Sequence, residues 1–219
     1  MRDYSELLSH VDHTLLTPTA TWEEVRQLCD EGVRYGCASV CIPPCYVGPA
    51  AEYLKGSLPV CTVIGFPNGY CETAVKVCEA REAVRRGASE LDMVLNLGRV
   101  RSGDWDAVLE EIQAVRSACP EQVLKVIIET CLLTREEKLR LAELVSRSGA
   151  DYIKTSTGFA GGGATRGDVA MLRAHCAPHL KIKASGGIAT LADAEDLIAL
   201  GADRVGASRL VKAVAELES

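Results

Sequence analysis

With 219 residues, 47% of them apolar and 25% charged, the chain suits one globular domain with a large core and is too short for two comfortable ones. A net charge of −6, with both signs scattered and no basic run, argues against a nucleic-acid-binding surface. The longest apolar stretch, over 126–128 and 131–133, is broken by Glu129 and falls far short of the roughly 20 residues of a membrane helix.

Residues 1–6 lack the apolar centre of a signal peptide, so cytoplasmic residence is expected by default. Strand-like segments then follow one another at 11–15 (the weakest), 39–42, 60–65, 90–96, 123–130, 151–155, 180–185 and 203–207. Helix-like segments run between them. Thr21-x-x-Glu24 and Thr134-x-x-Glu137 read as capping boxes, and Thr190 and Ser208 as further N-caps. Gly36, Gly87, Gly149 and Gly201 sit where helices end, as residues that tolerate positive φ should. Eight such units in 219 residues leave about 27 each, with no linker between them. Short apolar strands such as Val126-Ile127-Ile128 suit a parallel sheet covered on both faces.

The ten cysteines invite a metal or disulfide reading that their spacing does not support. Cys37, Cys41 and Cys45 recur every fourth residue, not at the two-residue gap of a zinc knuckle. Cys29, Cys61, Cys78 and Cys119 fall in apolar patterns where a thiol packs as a small hydrophobe, so reduced thiols are expected. Pro178 interrupts any helix that would present His175 and His179 on one face. No metal and no cofactor are expected.

A repeated frame supplies the fold and the chemistry together. Gly87-Ala88-Ser89-Glu90-Leu91 leads to Asp92, Gly149-Ala150-Asp151-Tyr152-Ile153 to Lys154, Gly201-Ala202-Asp203-Arg204-Val205 to Gly206, and Gly36-Cys37-Ala38-Ser39-Val40 to Cys41. These four residues end equivalent steps on the second, fourth, sixth and eighth strands. A (β/α)8 barrel fills its interior with layers drawn from alternate strands, whereas a doubly wound open sheet gives no reason for the alternation. One α/β domain spanning 1–219, a (β/α)8 TIM barrel, is the reading adopted.

Period-two geometry turns Asp92 inward, because Leu91, Met93 and Leu95 form the apolar face that helices cover. Tyr152, Lys154 and Ser156 share a face, as do Lys181, Lys183 and Ser185; Lys183 lies nearer the strand's C-terminal end, where barrel sites sit. One buried ion pair would explain one inward lysine. It does not explain a set of two lysines and an aspartate, because buried pairs seldom add stability. A lysine beside a second ammonium group loses its proton more readily and attacks an aldehyde as the free amine. The resulting iminium ion withdraws electrons, so a neighbouring C–C bond breaks or forms while an aspartate moves the protons. That is a metal-free aldolase. Glycine turns at Gly158, at Gly186-Gly187 and at Gly206-Ala207-Ser208, the last opening a helix, would seat a phosphate.

The segments Val11-Asp12-His13-Thr14-Leu15-Leu16, Glu90-Leu91-Asp92-Met93-Val94, Lys125-Val126-Ile127-Ile128-Glu129-Thr130, Tyr152-Ile153-Lys154-Thr155-Ser156-Thr157-Gly158-Phe159, Lys183-Ala184-Ser185-Gly186-Gly187-Ile188 and Arg204-Val205-Gly206-Ala207-Ser208 resemble the deoxyribose-phosphate aldolase family, in order and over nearly the whole chain. The resemblance implies a class I aldolase cleaving 2-deoxy-D-ribose 5-phosphate to D-glyceraldehyde 3-phosphate and acetaldehyde, within deoxynucleoside catabolism. It implies Lys154 as the Schiff-base lysine and Lys183 and Asp92 as a proton relay. Gly158, Gly186, Gly187, Gly206 and Ser208 would hold phosphate, and Asp12, Thr14, Cys41 and Thr155 would line the site. A cytoplasmic homodimer or homotetramer is implied, with no nucleic-acid or membrane partner. Two departures stand out. The chain ends Glu216-Leu217-Glu218-Ser219 where some members carry a tyrosine that reaches the site, and Arg209 replaces a common second serine. Other Schiff-base enzymes on the same barrel, and a phosphosugar-binding regulator that has lost its chemistry, are the competing readings.

Overall fold

The computed structural model describes residues 3–218. Eight parallel strands close into a barrel in the order of the chain. They are β1 (Val11–Thr14), β2 (Ser39–Ile42), β3 (Val60–Ile64), β4 (Glu90–Val94), β5 (Val123–Ile127), β6 (Tyr152–Lys154), β7 (Lys181–Ser185) and β8 (Arg204–Ala207). β8 closes on β1 through Asp12 opposite Gly206.

The helices form where their ends are satisfied and one face is apolar. Trp22–Arg34 begins with a complete capping box, in which Thr21 accepts from the Glu24 N–H and Glu24 accepts from the Thr21 N–H. Its buried Val25, Leu28, Cys29 and Gly32 follow the three-four spacing of one helical stripe. Arg135–Ser146 and Leu191–Ala199 carry the same device at Thr134 and Thr190. Gly36, Gly87, Gly149 and Gly201 all take positive φ, as read from the sequence.

Between sheet and helices lies the main apolar layer. Leu91, Met93, Leu124, Val126, Ile153, Ile182 and Val205 are wholly buried there, each stabilising the fold by about 2 kcal/mol through burial. One ion pair interrupts it. Lys76 Nζ stands 2.9 Å from Glu111 Oε2 and donates to the Val94 carbonyl at 2.8 Å, with neither side chain exposed. Glu111 Oε2 also accepts from the Asn96 N–H, so the pair ties helices Thr73–Arg85 and Trp105–Ala118 to the end of β4.

Several expected strands end early. Asn96 caps the short helix Leu97–Arg101 instead of continuing β4, its side chain accepting from the Arg99 N–H. β5 stops before Glu129, whose φ of +52° turns the chain into a 3-10 segment, Thr130–Leu132. Ser208 is not the N-cap of the closing helix Leu210–Glu218: the Ala213 N–H bonds to the Arg209 carbonyl, which puts Ser208 one residue before the cap. Ser219, the last residue of the expected tail, lies outside the described residues, as do Met1 and Arg2. Among the described residues no helix is long and apolar enough to cross a membrane.

Candidate active site

The inward faces of the strands meet at Asp92. Lys154 Nζ and Lys183 Nζ donate to the same oxygen, Oδ2, at 2.7 and 2.6 Å. Lys125 Nζ donates to Oδ1 at 2.8 Å. The two lysines expected to converge therefore do so, with the aspartate between them. Register explains the convergence: Lys154 lies opposite Lys183 across β6 and β7, and Asp92 opposite Lys125 across β4 and β5.

A deeper tier supports this one. Asp12 Oδ2 stands 2.5 Å from Lys183 Nζ, and its Oδ1 accepts from Arg204 at 2.6 Å and from the Ser39 hydroxyl at 2.8 Å. Glu90 lies 2.6 Å from Lys125 and 3.4 Å from Arg204. Lys125, Lys154, Lys183 and Arg204 thus face Asp12, Glu90 and Asp92, four basic groups against three acidic ones. Gly206 makes room for this packing, since a Cβ there would lie 3.1 Å from Lys183 Cε and 3.0 Å from Ser185 Cβ.

Burial by itself would raise the Asp92 carboxyl, but Lys125, Lys154 and Lys183 reverse it and hold Asp92 well below the usual carboxylate range. Asp12 is likewise held below that range, burial being overcome by Lys183, Lys125 and Arg204. Burial opposes charge on Lys183, yet Asp12 and Asp92 outweigh it and push Lys183 upward. Lys125 moves the same way, with Asp92 the strongest of its partners. Lys183 is a fixed cation.

Access separates the lysines. A cleft of about 200 Å³ above the cluster is lined by Lys154 and not by Lys183 or Lys125. Thr14, Gly158, Gly186, Gly187, Gly206 and Ser208, all expected at the site, border the same cleft. Gly158, Gly186 and Gly187 hold φ of +86°, +81° and +73°, values that side chains rarely adopt. Ser208 is exposed at its rim, and Arg209, also exposed, is not among the residues that line it. A second cleft of about 270 Å³, apolar around Leu16, Val63 and Phe66, adjoins it through Leu16.

Three expected lining residues lie elsewhere. Asp12 is wholly buried in the lower tier. Thr155 points between β6 and β7, donating to the Ser185 carbonyl and accepting from the Ser185 N–H. Cys41 is buried beneath the clefts with Cys61, Val63, Leu16 and Phe66, and its hydrogen bond from Cys61 holds the thiol below its ordinary range against the effect of burial. Cys61 is not the simple hydrophobe read from its pattern, because its thiol lies 3.2 Å from Asp92 Oδ1; Cys78, read the same way, is exposed. All ten thiols are free.

Lys125, Glu90 and Arg204 were not read as site residues from the sequence. Parity would have found Lys125, since Leu124, Val126 and Ile128 form the outward trio of β5 and leave it inward. Sequence reading also missed that donor atoms of Cys41, Cys61 and Asp92, and of Asp12, Cys61 and Glu90, gather within 4.8 Å. Every carboxylate in those groups already faces an ammonium or guanidinium, and the cationic surplus would repel a further cation.

A barrel whose strand ends gather an amine bordering a cleft, a cation and a shared carboxylate beneath glycine turns has the parts of an enzyme site. Residues 7–213 match the model of the DeoC/LacD family aldolases, and the chain belongs to that family. It is 53% identical over 212 residues to a deoxyribose-phosphate aldolase of Streptococcus agalactiae, covering 97% of this chain and 95% of that protein. A deoxyribose-phosphate aldolase of Streptococcus pyogenes is equally similar, at 53% over the same coverage. Among solved structures, a putative deoxyribose-phosphate aldolase from Coccidioides immitis superposes with a TM-score of 0.93 at 41% identity, over 98% of this chain and 87% of that one. The deoxyribose-phosphate aldolase of Aeropyrum pernix, described as a unique tetramer, gives 0.90 at 35%, over 99% and 93%.

Proposed function

We propose that the chain reversibly cleaves 2-deoxy-D-ribose 5-phosphate to D-glyceraldehyde 3-phosphate and acetaldehyde, with Lys154 as the nucleophile. The observation that carries this assignment is that Lys154 alone of the three clustered lysines borders the cleft while sharing Asp92 Oδ2 with Lys183. As a free amine, its nitrogen attacks C1 of the open-chain sugar and forms a carbinolamine. Loss of water gives the iminium ion. The C3 hydroxyl then gives up its proton, the C2–C3 bond breaks, and its electron pair moves into the iminium to leave an enamine and free D-glyceraldehyde 3-phosphate. Protonation at C2 and addition of water release acetaldehyde and restore the amine.

Asp92 is placed to handle the protons of these steps, because one of its oxygens touches both the nucleophilic amine and Lys183. Lys183 anchors that oxygen as a cation. The turns at Gly158, Gly186, Gly187 and Gly206, with Ser208, would receive the phosphate with backbone N–H groups. The protein would work in the cytoplasm in deoxynucleoside catabolism, as a homodimer or homotetramer; the tetrameric Aeropyrum pernix relative supports assembly.

Borohydride reduction in the presence of acetaldehyde, followed by mass spectrometry, tests the assignment. The expected adduct is a reduced two-carbon group on the peptide containing Lys154. An adduct confined to Lys183 or Lys125, or no adduct from active protein, overturns it.

A further inference from the structure

Glu129 has no part in the chemistry above, yet its geometry is the least ordinary near the site. It is buried, with 2% of its surface exposed, and it takes a left-handed φ of +52° where the chain leaves β5 for the segment Thr130–Leu132, a conformation costly for any residue with a Cβ. A non-glycine residue holds that conformation only where its surroundings over-determine it. They do so on both flanks: the Ile128 N–H bonds to the Lys154 carbonyl at 3.0 Å, and the Thr130 N–H to the Thr155 carbonyl at 2.8 Å. The twist aims the carboxylate across β6 at the segment beyond the nucleophile. Oε2 accepts both from the Thr157 N–H at 3.1 Å and from the Thr157 hydroxyl. That hydroxyl in turn accepts from the Phe159 N–H at 3.0 Å. Gly158, at φ +86°, is clasped between the two, and both Thr157 and Gly158 border the cleft.

We infer that Glu129 is a positioning residue that holds the 157–159 turn over the cleft and thereby sets affinity for the phosphate-bearing end of the substrate. The carboxylate touches neither Lys154 nor Asp92, so it acts on binding through Thr157 and leaves the amine chemistry alone. The inference rests on the reading of the Gly158 turn as part of the phosphate seat.

The test compares E129Q with the unaltered enzyme on 2-deoxyribose 5-phosphate and on unphosphorylated 2-deoxyribose. Losing hydrogen bonds to a charged acceptor is expected to raise KM for the phosphorylated sugar about tenfold. The value of kcat, and KM for the unphosphorylated sugar, should stay within about twofold. T157V should reproduce the effect and T157S should not, which keeps the test available if E129Q folds poorly. Equal losses on both sugars, or unchanged KM values in both E129Q and T157V, overturn the inference. S208E places a negative charge at the rim and separates the two failures. If S208E leaves the preference for the phosphorylated sugar intact, the phosphate seat is misplaced. If S208E abolishes that preference while E129Q does not touch it, only the role of Glu129 is wrong.

Discussion

Two largely buried lysine systems stand on opposite sides of the same sheet. Outside the barrel, Lys76 meets Glu111 and the Val94 carbonyl, one cation with one anion and every strong group partnered. Inside, four basic groups crowd three carboxylates, and two ammonium groups contend for a single oxygen of Asp92. Burial alone therefore does not mark a site, because both systems are buried. Imbalance does: the outer pair is balanced in charge, whereas the inner cluster holds one more basic group than acidic ones, and the amine that borders a cleft belongs to that unbalanced set.

The contrast is sharpest in activity. Lys154→Ala should lower kcat by at least about 10⁴-fold, as loss of a covalent nucleophile does, and abolish borohydride trapping. Lys76→Met should leave trapping intact. Lys183→Leu is expected to cost about 10²-fold at neutral pH. It removes the cation that shares Asp92 Oδ2, so more of that negative charge falls on Lys154 and the acid limb of the pH–rate profile moves to higher pH. An unmoved profile would overturn the role of Lys183 as the cation that anchors Asp92 Oδ2.

Both lysine systems differ in how plainly the chain announces them. Asp92, Lys154 and Gly206 were legible because each ends the same step from a helix-terminating glycine, and the closed barrel places those steps on alternate strands. Lys183 was legible by height above its turn. Parity alone turns Lys125 inward, between the outward-facing Leu124 and Val126, but nothing in the local pattern shows that its charge and that of Arg204 meet across the barrel. Lys76 and Glu111 were hidden for a different reason. They are 35 residues apart on two helices whose exposed faces are also rich in charge, so only the packing of those helices shows that this pair faces inward. Asp12 and Thr14 were read together as lining the site; Thr14 borders the cleft, while Asp12, of the same parity, lies wholly buried against Lys183 and Arg204.

Stability separates the systems in the reverse sense. Lys76→Met leaves Glu111 charged and unpaired between sheet and helices, and urea denaturation should show a loss of about 3–5 kcal/mol. The interior cluster instead fixes the pH range. Asp12 and Asp92 are depressed in the folded state, so the stability they confer is complete above their unfolded value of about 3.9 and is lost as pH falls toward their folded values. Lys125 and Lys183 are raised, so their contribution is complete below about 10.4 and is lost as pH climbs toward theirs. Urea midpoints should therefore be flat from about pH 5 to 9 as far as these four groups govern them, with losses confined to the two extremes. Acid loss that begins above pH 5 would mean that Asp12 or Asp92 is not held down as described.

The smallest effect tests whether the outer pair acts as a unit. Replacing both partners, as Lys76→Met with Glu111→Leu, removes two buried charges together and spares their desolvation. The exchange is not free, because the Val94 carbonyl loses its donor and the Asn96 N–H its acceptor, each an unmet polar group next to β4. The double variant should then cost about 1–3 kcal/mol, less than Lys76→Met alone, and the double-mutant cycle should return a favourable coupling between the two. A double variant as unstable as the sum of its singles would show that the two side chains act separately, and the outer system would cease to be the balanced counterpart of the inner one.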